Sequence, residues 1–324
     1  MRKNFFLVKL FILVIIFIWI FKTVNINETI KVFSKTNLYY FSLALLLNNL
    51  SNFFLTIKWY RLATPLKIKS GFIDLLKLNY ISTFYSMFIP GQASGELIKG
   101  LILSKKEGST QKVWVPIFID KVTNLLVTFL IGFIAVLNDI HFRQNTYLLV
   151  GISIFMIIFL AFTIILFSEK TQNIVSFFRN ILITVLELFK IKADFIKDFS
   201  LTYFESYKKN DKLIFETMLW SILIKLPHIV AFYFLALSIN LPLDLIESAW
   251  LFSVIFIASI LPITFAGLGV REGTILILLA KLGIENSKSL SYSLLIFTNG
   301  LITALIGGGI EFLRSLKQKH KKHD

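Results

Sequence analysis

The chain has 324 residues, 56% of them hydrophobic and 16% charged, a net charge of +15 and a mean hydropathy of +0.75. Soluble domains are about a quarter charged. Here the apolar residues come in blocks of the ~18 residues a bilayer-spanning helix needs, so a soluble catalytic domain is excluded. The cations sit in short loops between those blocks, which argues for membrane orientation and against a nucleic-acid partner. The chain has no cysteine, and its histidines (His141, His228, His320, His323) lack metal-ligand spacing, so neither a disulfide nor a metal or other cofactor is expected.

The chain starts with Arg2 and Lys3, followed by an apolar run from Phe5 to Phe21. That run is longer than a signal-peptide core, and no small-residue cleavage site follows it, so it reads as an uncleaved first span with Lys9 snorkelling outward. Further full spans are predicted at 38–57, 113–137, 147–167, 213–238 and 290–313. Two other apolar stretches are interrupted: 72–104 at Pro90-Gly91, with Gly95 following, and 247–282 at Pro262, Gly267 and Gly269. Proline removes a backbone donor and glycine frees the backbone, so each stretch is read as two half-helices that enter and leave by the same face. Between the halves, apolar residues at helical spacing over 174–189 predict an amphipathic helix on the membrane surface. The expected organisation is one integral membrane domain, 1–313, followed by a basic tail, 314–324. The domain divides into a first half about 1–167, an interfacial linker about 168–212 and a second half about 213–313.

The charges test this topology. With Met1 inside, six crossings and two re-entrant hairpins place 20 Lys and Arg in cytoplasmic segments (58–71, 105–112, 168–212, 314–324) and 5 outside. That is the direction the positive-inside rule requires, and it puts both termini on the cytoplasmic side of the cell membrane. Full crossings by both broken stretches would move eleven of those cations to the wrong side. Trp19, Trp59, Trp114 and Trp250 fall at segment ends, where interfacial indoles sit. The fold class is therefore an all-α polytopic membrane protein with about six full transmembrane helices plus two re-entrant broken-helix hairpins in an inverted repeat.

Non-helical backbone inside a bilayer must be shielded by protein or line a wet cavity, so the breaks predict a polar interior. Lys99 lies nine residues after Pro90, and Arg271 nine after Pro262. Near them in apolar surroundings are Glu96, Asp120, Lys121 and Glu272, with Asn124, Lys225, His228, Asn299 and Glu311 elsewhere. Glu96 and Lys99, three apart, share a helix face and read either as an ion pair closing the hairpin or as ligands for a substrate. Arg271 at a helix start opposes the macrodipole and calls for an anion, either Glu272 or a lipid phosphate. Lys225 and His228 flank Pro227 and read as a kink; Glu311 is expected to pair with Arg314.

The run Leu261-Pro262-Ile263-Thr264-Phe265-Ala266-Gly267-Leu268-Gly269-Val270-Arg271-Glu272-Gly273 closely resembles a signature of the membrane domain of the lysylphosphatidylglycerol synthetase/flippase family. Ile89-Pro90-Gly91-Gln92-Ala93-Ser94-Gly95-Glu96-Leu97-Ile98-Lys99 is similar to that family's first hairpin element, and Lys58-Trp59-Tyr60-Arg61 and Asp120-Lys121 resemble two shorter ones. The resemblance covers roughly 5–313, with Lys99 and Lys121 standing where arginine is commoner. Lysine keeps the charge and loses bidentate phosphate geometry. The resemblance implies a stand-alone flippase-like module without the synthetase domain. In it Glu96, Lys99, Asp120, Lys121, Arg271 and Glu272 would bind an anionic phospholipid or lipid-linked glycan between the two hairpins. The expected partners are membrane lipids, envelope-biosynthesis enzymes and a second copy of the chain. Two rival readings stay open: a membrane-embedded transferase with a buried carboxylate as general base, and an accessory subunit in envelope lipid or polysaccharide assembly.

Overall fold

A computed structural model describes residues 26–89, 94–143, 146–167, 207, 210–260 and 269–320. The expected first span 5–21, the breaks at Pro90, Gly91, Pro262 and Gly267, and the amphipathic helix over 174–189 lie outside the described residues. Within them the secondary structure is helical: α1 (Ile26–Ser34), α2 (Leu38–Ala63), α3 (Phe72–Phe88), α4 (Ser94–Glu107), α5 (Thr110–Asn138), α6 (Ile140–Arg143), α7 (Thr146–Phe167), α8 (Asp211–Ser238), α9 (Leu245–Ile260), α10 (Val270–Lys281) and α11 (Asn286–His320). The starts follow capping chemistry. Asn37 accepts from Tyr39 N at 2.9 Å, Asn210 from Leu213 N at 3.0 Å, and Asp244 and Glu247 exchange reciprocal side-chain bonds at 2.7 and 2.8 Å.

Among the described residues, Leu38–Ala63, Lys112–Asn138, Lys212–Ser238 and Asn286–Leu316 are long and apolar enough to cross a membrane, and Leu149–Ala161 and Leu245–Ser259 are shorter apolar stretches. The protein is a polytopic helical membrane protein. One boundary corrects the sequence reading. Helix α2 continues past residue 57 to Ala63, so Lys58 is not in a cytoplasmic loop but wholly buried on a helix. Trp59 and Trp250 also turn inward and are buried, although sequence placed them at the interface. Asp139 accepts from Trp250 Nε1 at 2.7 Å, whereas Trp59 has a lysine ammonium over its ring face and no acceptor for its indole N–H.

Helices α3 and α4 form an antiparallel hairpin fastened at both ends. At the turn end, Ser94 Oγ donates to the carbonyls of Tyr85 and Ile89 at 3.2 and 3.3 Å. At the open end, Lys106 meets Asp74 at 2.6 Å. The two helices touch so closely that a methyl on Gly95 would lie 2.1 Å from the Ser82 carbonyl oxygen. With 17 and 14 residues they reach only ~26 and ~21 Å at 1.5 Å per residue. Both are short of the ~30 Å hydrocarbon core, as a re-entrant pair should be. Helices α9 and α10, of 16 and 12 residues, pack together as the second pair.

The packing repeats. Exchange α2 with α8, α3 with α9, α4 with α10 and α5 with α11, and the set of touching helices maps onto itself. Thus α3 packs on α11 as α9 packs on α5, α4 on α5 as α10 on α11, α2 on α3 as α8 on α9, and α2 on α11 as α8 on α5; α2 and α8 pack on each other. Each hairpin therefore leans on the other half's long helix. The α3–α11 crossing is the tightest, with a methyl on Gly307 falling 1.9 Å from the Tyr80 carbonyl oxygen. Small residues permit this approach between membrane helices.

Candidate functional site

The first charged group gathers on α2, α4 and α5. Lys58 Nζ, on the last turns of α2, lies 2.8 Å from Asp120 Oδ1 and donates to Thr123 Oγ1 at 3.0 Å and Ser221 Oγ at 2.7 Å. Asn124 Nδ2 donates to the same Asp120 oxygen at 3.0 Å. A buried ion pair survives only when its remaining valences are satisfied, and Lys58 meets that condition with side chains from α5 and α8.

Its neighbour Lys99 does not. The Lys99 ammonium is 1% exposed, sits 3.9 Å from the Trp59 ring centroid and reaches Glu96 only at 3.8 Å. Lys99 Nζ, Glu96 Oε2 and Trp59 Nε1 are all buried without a hydrogen-bond partner. Glu96 Oε1 faces Lys121 Nζ at 3.5 Å, and Lys121 is half exposed. Two orphan donors and one orphan acceptor thus converge beside an open-sided lysine. Buried polar atoms are rarely left in this state.

The second group is closed. Gly269 holds φ 85°, a conformation glycine tolerates without strain, and starts α10. Glu272 reaches back to accept the Gly269 N–H at 2.5 Å and also pairs with the Arg271 guanidinium. Ser293 of α11 accepts from Arg271 Nε at 3.2 Å and donates to Glu272 at 3.3 Å, and Phe297 stacks 5.1 Å from the guanidinium carbon. The anion that Arg271 demands at a helix start is therefore Glu272.

Lys225 lies between the groups. It follows Ser221, the partner of Lys58, by one helical turn on α8 and is 4% exposed. Among the described residues no carboxylate pairs with it, and its ammonium instead sits 3.7 Å from the Phe256 ring centroid. Phe252 and Phe256 also wall a cavity of about 230 Å³ that Asn48, His228, Arg271, Phe297 and Asn299 line. Pro227 stands inside α8, which continues through it. The Ile224 carbonyl, next to the Leu223 carbonyl that Pro227 leaves without its helical donor, takes the Ser51 hydroxyl at 3.0 Å and meets His228 Nδ1 at 2.8 Å. The kink reading thus accounts for His228 but leaves Lys225 unexplained.

Of the residues singled out from sequence, Glu96, Lys99, Asp120 and Lys121 are brought together. Arg271 and Glu272 pair with each other on a separate wall, and no described hydrogen bond or ion pair joins the two groups. Gly95, expected at a helix break, instead lies inside α4 at a close helix contact; Gly269 starts α10 with positive φ, and Glu311 pairs with Arg314 at 3.2 Å. Sequence reasoning missed Lys58, Trp59, Ser221 and Lys225 as site residues. The signal for Lys58 was present in its motif beside Trp59 but was counted as loop charge. Among the described residues no three His, Asp or Glu side chains converge as metal ligands would.

The family described as "Lysylphosphatidylglycerol synthase TM region" matches residues 6–308. A UPF0104 membrane protein of Pyrococcus horikoshii is 22% identical over 98% of this chain and 98% of its own length. No solved structure matches.

Proposed function

The chain belongs to the lysylphosphatidylglycerol synthase transmembrane-region family, and on that premise we propose that it binds the head group of an anionic lipid at the α2–α4–α5 cluster and carries it between leaflets. The reading rests on Lys99, a buried ammonium whose hydrogen-bonding capacity is unused, beside the equally unused Trp59 Nε1 and Glu96 Oε2. A phosphodiester supplies acceptors for the ammonium and the indole N–H. A hydroxyl or ammonium on the same head group supplies the donor that Glu96 lacks.

Charge supports the same ligand. Among the described residues, the buried Lys58, Lys99 and Lys225 and the half-exposed Lys121 pair only with Glu96 and Asp120, so the cluster carries cationic excess, and an unpaired charge inside a membrane costs ~2.5–3.5 kcal/mol on insertion scales. An anion offsets that cost. The phosphate would also compete with Glu96 for Lys99 and Lys121, both held at 3.5 Å or more, so head-group capture becomes an exchange of one anion for another. In this reading the protein lies in the cytoplasmic membrane with both termini inside.

The test is reconstitution in liposomes with labelled phosphatidylglycerol and labelled phosphatidylcholine, following movement in both directions. Wild type should move the anionic lipid faster. Lys99→Met should abolish that preference and Lys99→Arg should retain it. If Lys99→Met moves phosphatidylglycerol at the wild-type rate, the reading fails.

A further inference from the structure

A groove of about 840 Å³ lies between α3, α4 and α11, and none of the clustered charges Lys58, Glu96, Lys99, Asp120 and Lys121 lines it. Its lining repeats one pattern on all three helices. On α3, Lys77 precedes Ile81 by four residues; on α4, Leu101 precedes Lys105 and Ile102 precedes Lys106; on α11, Ile310 precedes Arg314. Four residues are about one turn, ~6 Å of rise, so an apolar floor and a cationic rim lie at two different depths. The order reverses on α3 relative to α4 because the hairpin is antiparallel. All four cations therefore gather at one end, where Asp74 and Lys106 fasten the hairpin at 2.6 Å.

We propose that this groove is a fixed site for one anionic phospholipid of the leaflet at that basic end, with an acyl chain along the floor and the phosphate among Lys77, Lys105 and Arg314. Charge selects the occupant. Asp74 holds Lys106, and Glu311 holds Arg314 at 3.2 Å, whereas Lys77 and Lys105 have no carboxylate partner among the described residues. The rim carries four cations against the single acid Asp74 in the lining. Snorkelling alone explains cations at a membrane surface, but it does not explain apolar side chains recessed one turn behind them on three converging helices. The site is separate from Lys99 and does not depend on lipid movement.

Native mass spectrometry of the purified full chain, titrated with phosphatidylglycerol or phosphatidylcholine, tests it. Wild type should retain phosphatidylglycerol in preference to phosphatidylcholine. Lys77→Gln combined with Lys105→Gln should weaken that retention about 30-fold, the loss of two surface cations. Leu101→Trp, which fills the floor at a residue 60% exposed and leaves every cation in place, should also remove the lipid. Both variants are also read in the Lys99→Met background, so that a lipid held at the interior cluster is not counted. Equal retention of both lipids overturns the site, as does wild-type retention by the double variant. Retention by Leu101→Trp in the Lys99→Met background would reduce it to surface attraction, and complete loss of bound lipid in Lys99→Met alone would leave the groove without an occupant. Either result overturns the proposal.

Discussion

The two hairpins place a cation at the same distance from a proline, yet they treat it in opposite ways. Arg271 is saturated: Glu272, Ser293 and Phe297 take up its guanidinium, and Glu272 simultaneously caps the helix that carries it. Lys99 is left with a ring face and a carboxylate at 3.8 Å. One repeat uses its cation to fasten a helix start to α11; the other keeps its cation available. A shared spacing in sequence thus becomes a latch in one half and a buried cation without a hydrogen bond in the other.

The largest effect should come from breaking a satisfied pair. Asp120→Ala strands Lys58, which is 0% exposed, and should cost about 3–5 kcal/mol, read as a large fall in melting temperature in detergent. Replacing both partners, Lys58→Met with Asp120→Leu, should recover most of it. An Asp120→Ala variant that melts with wild type would remove the ion pair from the account of this half. Next come the close approaches. Gly95→Ala should destabilise by about 1–3 kcal/mol because the new methyl meets the Ser82 carbonyl oxygen. Gly309→Ala, with nothing within 4 Å, is the control and should melt at or above wild type.

The contrast between hairpins is sharpest at their cations. Arg271→Met leaves Glu272 without its guanidinium and should lower stability by a few kcal/mol. Lys99→Met removes a charge that holds no hydrogen bond and should leave the melting temperature unchanged or higher while lipid movement falls. Equal destabilisation by the two substitutions would erase the distinction. The smallest effect is expected at the hairpin's open end. Lys106 and Asp74 are 47% and 50% exposed, so Lys106→Gln should cost under ~1 kcal/mol and less at high salt.

Much of this arrangement was legible in the sequence. The four long apolar helices, the short paired helices that flank each predicted break and the matching packing of the two sets follow from apolar block length and Pro and Gly placement, whereas the expected span 147–167 is apolar enough only over Leu149–Ala161. Those are one-dimensional signals. The site was only half legible. Glu96 and Lys99 share a helix face, and their proximity follows from spacing. The pairing of Lys58 with Asp120 spans 62 residues and depends on α2 running about one and a half turns beyond residue 57, where the apolar block was read as ending although the motif beside Trp59 continued it. Lys225 beside Pro227 was explained by the nearer feature, although Ser51 and His228, not Lys225, bond the helix carbonyl next to the proline's opening.

The exchange of hairpins between halves has a consequence for assembly. Because α3 rests on α11 and α9 on α5, a four-helix half made alone would leave its hairpin and its long helix without their tightest neighbours. Two such units in separate chains would have to trade hairpins, the geometry of a domain-swapped dimer. Carried on one chain, the swap is intramolecular. Neither half then has a finished surface until the other is in place, and the first hairpin gains its contact with α11 only when the last helix arrives.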